Sequence, residues 1–117
     1  MISYKGYDAQ VITMPKSSAD IKPGDAVTIA QDGSVVLATN SQNIIGICTT
    51  VRGEYIGVQT EGYVEARYVS TAPKCGFVEF IGDGKGAVQI AATSAQKGVF
   101  SKVLTVDTTN KTVGFIL

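Results

Sequence analysis

The chain has no histidine and no tryptophan, and only two cysteines, in 117 residues. Without histidine neither a Ser–His nor a Cys–His dyad can form, which removes the commonest routes to an activated nucleophile. Cys48 and Cys75 are too few for a disulfide framework. They are expected as free thiols, Cys48 packed as a small apolar residue. Two thiols without an imidazole cannot complete a four-ligand zinc site unless carboxylates join them. No metal and no cofactor is therefore expected. Charge of one sign is also missing. Ten basic and ten acidic residues cancel, and no block of like charge occurs. Nucleic-acid recognition starts from clustered positive charge, so nucleic acid is not an expected partner. No apolar run reaches the length of a membrane-spanning helix. The first ten residues, Met1 to Gln10, lack the apolar stretch of a signal peptide, so synthesis and folding in a cytoplasm, with no membrane partner, is the expectation.

What is present is glycine and β-forming residues. Thirteen glycines punctuate short runs of Val, Ile, Thr, Tyr and Phe. Strands are expected near Gln10–Met14, Ala26–Ala30, Ser34–Ala38, Ile44–Val51, Glu54–Thr60, Gly62–Val69, Gly76–Ile81, Ala87–Ala91, Lys102–Val106 and Thr112–Leu117. Many short strands with frequent turns point to an all-β single domain, a small barrel or sandwich with little helix. The turns carry their own chemistry. Asp32-Gly33 between Val27–Ala30 and Val35–Leu37 is a strong hairpin signal. Gly82-Asp-Gly-Lys-Gly86 divides two further β-runs in the same way. Asp107-Thr-Thr-Asn-Lys111 separates Val103–Val106 from Thr112–Leu117 and predicts a closing hairpin that docks the apolar end of the chain. Ala91 to Lys97 offers at most a loop or a short helix, because Thr, Ser and Gly98 oppose a longer one.

Alternation assigns faces. Ile45, Ile47, Thr49 and Val51 share one side of their strand. Val64, Ala66 and Tyr68 oppose Tyr63, Glu65 and Arg67, and the second set is expected to be solvated. In Phe77 to Ile81, Val78 and Phe80 are expected inward, with Phe77, Glu79 and Ile81 outward. Residues 1–20 differ from the rest. Their apolar members, Tyr4, Tyr7, Val11, Ile12 and Met14, are scattered around Gly6, Pro15 and Lys16-Ser-Ser18. This stretch reads as an extended N-terminal arm leading into a domain at 21–117; a first edge strand packed on the domain is the other reading.

Candidate chemical motifs reduce to turns and packing. Glu61 and Glu65, four apart on a strand, would lie about 13 Å from each other, too far for a glycosidase pair. Gly82 to Gly86 has neither the Ser or Thr after lysine nor the following helix of a phosphate-binding loop, and lacks the acidic ligands of a calcium loop. Cys48 lies in an apolar strand, where thiols are inert; Cys75, beside Lys74 and Gly76, reads as a thiol in a turn. Tyr55, Tyr63 and Tyr68 fall on β-runs, where aromatics pack.

A resemblance adds what these features lack. Pro23-Gly-Asp-Ala-Val-Thr-Ile-Ala-Gln-Asp-Gly-Ser-Val-Val-Leu-Ala-Thr39, then Ile44-Ile-Gly-Ile-Cys-Thr-Thr-Val51, then Val58-Gln-Thr-Glu-Gly-Tyr-Val-Glu65, then Val103 to Leu117, together resemble the capsid-decoration proteins of tailed bacteriophages. These are also described as capsid cement proteins or head-fibre base domains. The resemblance spans about Ile21 to Leu117 and rests on the order of segments. It implies a small β-barrel or β-tulip domain that binds the outside of the expanded capsid, as a homotrimer at three-fold or quasi-three-fold positions, with the major capsid protein as partner. The implied location is the virion exterior, after synthesis in the bacterial host. Longer head-fibre relatives carry an extra C-terminal fibre region, and a fibre function is not expected here. The arm is expected to add a strand to a capsid edge, with Tyr4, Tyr7, Val11, Ile12 and Met14 as anchors. No catalytic residue is expected. Two other readings stand beside this one: a glycan-binding module using exposed tyrosines, and an enzyme built on Cys75, which predicts rapid alkylation of one thiol at neutral pH.

Overall fold

The computed structural model describes residues 10–17, 20–40, 42–92 and 96–117. Among them are eleven strands and no helix: β1 (Gln10–Pro15), β2 (Ala26–Ile29), β3 (Val35–Leu37), β4 (Gly46–Arg52), β5 (Tyr55–Glu61), β6 (Tyr63–Arg67), β7 (Gly76–Val78), β8 (Phe80–Gly82), β9 (Val88–Ile90), β10 (Ser101–Asp107) and β11 (Thr112–Ile116). The domain is all-β, as its composition predicts. They form a five-stranded sheet in the order β1-β5-β4-β2-β3, a four-stranded sheet β6-β11-β10-β7 and the hairpin β8-β9. Every ladder is antiparallel.

The barrel expectation is corrected here. The five-stranded sheet curls until its two edges touch, but among the described residues they meet only at the bridge between Lys16 and Val35, where Ser17 N–H also donates to the Val35 carbonyl (3.0 Å). One bridge is not a ladder, so the sheet stays open. All five of its strands feed one apolar cluster, which holds Ile21, Val27, Val35, Cys48, Ile56 and Val58, with Met14, Leu37, Ile45 and Val51 against it. A second and larger cluster fills the space between the two main sheets and the β8–β9 hairpin. It includes Ala26, Ile47, Val64, Ala66, Phe80, Val88, Val103, Val113 and Phe115. The Phe80 and Phe115 rings stack tilted, with centroids 4.7 Å apart. The radius of gyration, 13.3 Å, is what a compact domain of this length requires.

Gln10–Pro15 is an edge strand, paired with β5 from Gln10–Glu61 to Pro15–Tyr55. This is the second of the two forms open to that segment. Residues 1–9, with Tyr4 and Tyr7, lie outside the described residues.

Three face assignments change, each for an identifiable reason. A bulge in β4 between Cys48 and Thr50 resets the alternation, so Val51 joins Cys48 in one cluster while Ile47 belongs to the other. A one-residue shift of this kind moves side chains to the opposite face. Tyr63 is buried although its row faces away from the core. Its ring lies over Gly114, where a Cβ would collide with the phenol oxygen, and the hydroxyl bonds with Glu65 Oε2 (3.0 Å) and Thr105 Oγ1 (3.1 Å). Finally, the single strand expected over Gly76–Ile81 is two strands, β7 and β8, broken at Glu79. Glu79 and Ile81 are buried, not outward; Phe77 is outward.

Candidate binding surfaces

Function in a domain of this kind has to reside in surface chemistry or in buried polar groups, and both can be followed from the chain. The buried polar group is Glu79, 1% exposed. Its carboxylate accepts hydrogen bonds from Asn43 Nδ2 (Oε2, 3.0 Å), from the Lys97 amide (Oε2, 2.8 Å) and from the Gly98 amide (Oε1, 2.9 Å). The Asn43 bond, with the amides of Lys97, Gly98 and Val99, holds this carboxyl below its ordinary range against the opposing effect of burial. Donors aimed at a carboxylate favour its charged form. Glu79 therefore ties β7 and β8 to the segment before β4 and to the loop before β10.

Two turn carboxylates work on the same principle at the surface. Asp32 accepts from the Ser34 hydroxyl and amide, and Asp107 from the Asn110 and Thr109 amides and the Asn110 side chain. Both are held below the usual carboxylate range by those bonds. Asp25, buried, pairs with Arg67 (3.1 Å) and accepts from the Lys22 amide (2.9 Å), pinning the Pro23–Asp25 turn to β6. Cys48 is buried, and its thiol is pushed up first by that burial and then by nearby Asp25. Cys75 is exposed, with Sγ 3.4 Å from the Leu104 carbonyl. Among the described residues no group of three His, Cys, Asp or Glu side chains is gathered as a metal site.

Apart from Ile29 on β2, the exposed large apolar side chains among the described residues collect in two places. The first is the β1 edge. Val11 and Ile12 are about half exposed on opposite faces of the strand, and Tyr55 stands at its far end. Two shallow depressions flank Tyr55. One of about 300 Å³ is lined by Thr13, Thr50, Arg52, Tyr55 and Gly57; one of about 400 Å³ is lined by Pro15, Lys16, Ser17, Glu54 and Tyr55. Met14, the third described anchor candidate, packs partly buried on the core cluster, so it fastens β1 to its own domain. The second place is the corner of β7, where Phe77, Ile90, Val99 and Phe100 are exposed. The sequence signals for this corner were slight: an acidic residue inside an apolar run at Glu79, and the apolar pair Val99-Phe100 just before a strand.

The described tyrosines do not form one surface row. Tyr55 is exposed, whereas Tyr63 and Tyr68 are buried. Compared with protein-family models, with curated proteins and with solved structures, the chain matches none.

Proposed function

We propose that this protein is a structural component of a tailed-phage virion, a decoration or cement protein that binds the outer surface of the expanded capsid, as a homotrimer. The observation that carries the reading is the β1 edge: over Gln10–Pro15 a strand whose outer side has no strand partner among the described residues, bearing half-exposed Val11 and Ile12. The resemblance in segment order supports this family reading, and the edge offers a means of attachment. Such a role needs no catalytic group. It needs a stiff domain and a contact surface, and a trimer on three equivalent sites gains avidity from weak single contacts. The contact is strand addition, in which backbone bonds give affinity and alternate side chains give register. Val11 and Ile12 on β1 make the contact, with Tyr4 and Tyr7 as further anchors; Met14 fastens β1 to its own domain.

The test is co-sedimentation with expanded, undecorated capsids. The full chain should bind saturably. Removal of residues 1–9 leaves β1 in place, and with Val11→Asp added it should abolish binding without lowering the unfolding temperature by more than a few degrees. Unchanged capsid binding by that variant would overturn the assignment of the contact, and no binding by the full chain would overturn the function.

A further inference from the structure

The β7 corner is a surface that folding does not require. Phe77 is 75% exposed, Val99 54% and Phe100 51%. An exposed phenylalanine on a short edge strand stabilises nothing in the free domain, and a flexible loop would fold Val99 and Phe100 away. Here residues 97 and 98 are held. Glu79, buried beneath them, fixes the Lys97 and Gly98 amides, and those residues lead directly into Val99 and Phe100. The chain thus uses a buried carboxylate to keep two apolar side chains in solvent beside a third.

The corner has a shape and a charge. Ala72, Lys74, Phe77, Ile90 and Phe100 line a depression of about 290 Å³, room for one side chain. β7 is the terminal strand of its sheet; among the described residues its outer side has no strand partner. Lys74 lines the depression, and Lys102 stands opposite Phe77 in the β10 ladder. Neither is within ion-pair reach of a carboxylate among the described residues. Glu79 also lines the depression, but it is buried and its carboxylate is taken up by Asn43 and the Lys97 and Gly98 amides. A protein without net charge therefore shows a locally cationic rim around an apolar centre.

Those features select the partner. The four apolar side chains expose an area on the order of 300–400 Å², about half of what a stable globular interface buries on each side. A second copy placed here would bring lysines against lysines, the device by which edge strands avoid pairing with themselves. An extended segment loses neither way: it gains backbone bonds along β7, seats one apolar side chain in the depression and brings carboxylates to the rim.

We infer that the β7 edge, with Phe77, Ile90, Val99 and Phe100, is a strand-acceptor site for an extended protein segment with apolar residues at alternate positions and carboxylates between them. The site is separate from the β1 edge and stands whether or not β1 binds a capsid. The test is an NMR titration of the full, isotope-labelled chain. The probe is a blocked octapeptide of alternating valine and glutamate, with its valine–lysine counterpart as control. The glutamate peptide should shift the amides of Gly76, Phe77, Val78, Val99 and Phe100 saturably. Phe77→Asp, or Lys74→Glu with Lys102→Glu, should weaken binding about tenfold or more, with the unfolding midpoint unchanged. The proposal is overturned if millimolar glutamate peptide leaves those amides unmoved, or if the lysine peptide binds equally well. It is overturned equally if those amides shift with protein concentration alone, which would make a second copy the occupant. Binding of a thymidine dodecamer or of phosphatidylserine vesicles there in place of the peptide would also overturn it.

Discussion

Replacing Gly82 with alanine should detach the β8–β9 hairpin from the rest of the core. A Cβ on Gly82 falls on the backbone carbonyl of Ala38, and a backbone atom cannot swing aside as a side-chain end can. The hairpin has to retreat by roughly an ångström or more, which is enough to break hydrogen bonds whose mode is near 2.9–3.0 Å. Two backbone bonds cross that contact, Gly82 N–H to Gln42 O (3.2 Å) and Gly84 N–H to Ala38 O (2.8 Å). Each contributes about 1 kcal/mol net, and overpacking adds about 1–3 kcal/mol, so the expected loss is about 3–5 kcal/mol. Gly84→Ala is the control. Gly84 has φ +82° with nothing within 4 Å of a Cβ, so its cost is left-handed strain alone, about 1–2 kcal/mol. Urea unfolding of both variants, compared at equal m-values, reads the difference directly. If Gly82→Ala costs no more than Gly84→Ala, the close approach of hairpin and Ala38 is not what holds this junction together.

Other outcomes follow from the same structure. Phe115→Ala, at a fully buried ring stacked on Phe80, should cost about 3–5 kcal/mol in urea unfolding; a loss below about 1 kcal/mol would deny that these rings lie at the centre of the larger cluster. Glu79, Asp32 and Asp107 are all held below their ordinary ranges, so the folded state binds fewer protons than the unfolded one as pH falls through the carboxylate range. Stability should be level from pH ~7 to ~5 and drop below ~4. Glu79→Gln should flatten that drop and speed hydrogen exchange at Lys97 and Gly98; an unchanged acid profile with unchanged exchange would contradict the role given to the carboxylate. With a thiol reagent at neutral pH, Cys75 should react at the rate of an ordinary exposed thiol and Cys48 only on unfolding. A Cys75 rate far above that of a free thiol would instead favour the enzyme reading.

The parts of this fold that sequence reveals are those that short-range chemistry determines. Asp32-Gly33 makes the β2–β3 turn, Gly82 to Gly86 makes the β8–β9 turn with Asp83 accepting from the Lys85 and Ala87 amides, and Asp107 organises the β10–β11 turn. In β6 the alternation of Val64 and Ala66 is enough, because one face meets the core. What escapes is what distant segments decide. Glu79 is buried because amides 18 and 19 residues along the chain meet it, and nothing near Glu79 announces them. Tyr63 is buried because Gly114 leaves room for its ring. The bulge at Thr49 is stabilised by its hydroxyl on the Gly57 carbonyl (3.1 Å), a cross-strand bond that alternation cannot anticipate. The open curl of the first sheet depends on Lys16 meeting Val35, where an arm had been one of two readings. Of the proposed attachment site, the apolar character of Val11 and Ile12 was legible; that they stand on a strand with a free edge was not. The β7 corner was legible only in the slight signals of Glu79 and Val99-Phe100, since Phe77 and Phe100 come together only when β7 pairs with β10.

Electron cryomicroscopy of expanded, undecorated capsids incubated with the full chain would show whether this protein decorates them. Added density is expected on the outer surface at three-fold or quasi-three-fold positions, three copies to each, with β1 facing the lattice. A bare lattice at saturating protein would contradict that reading.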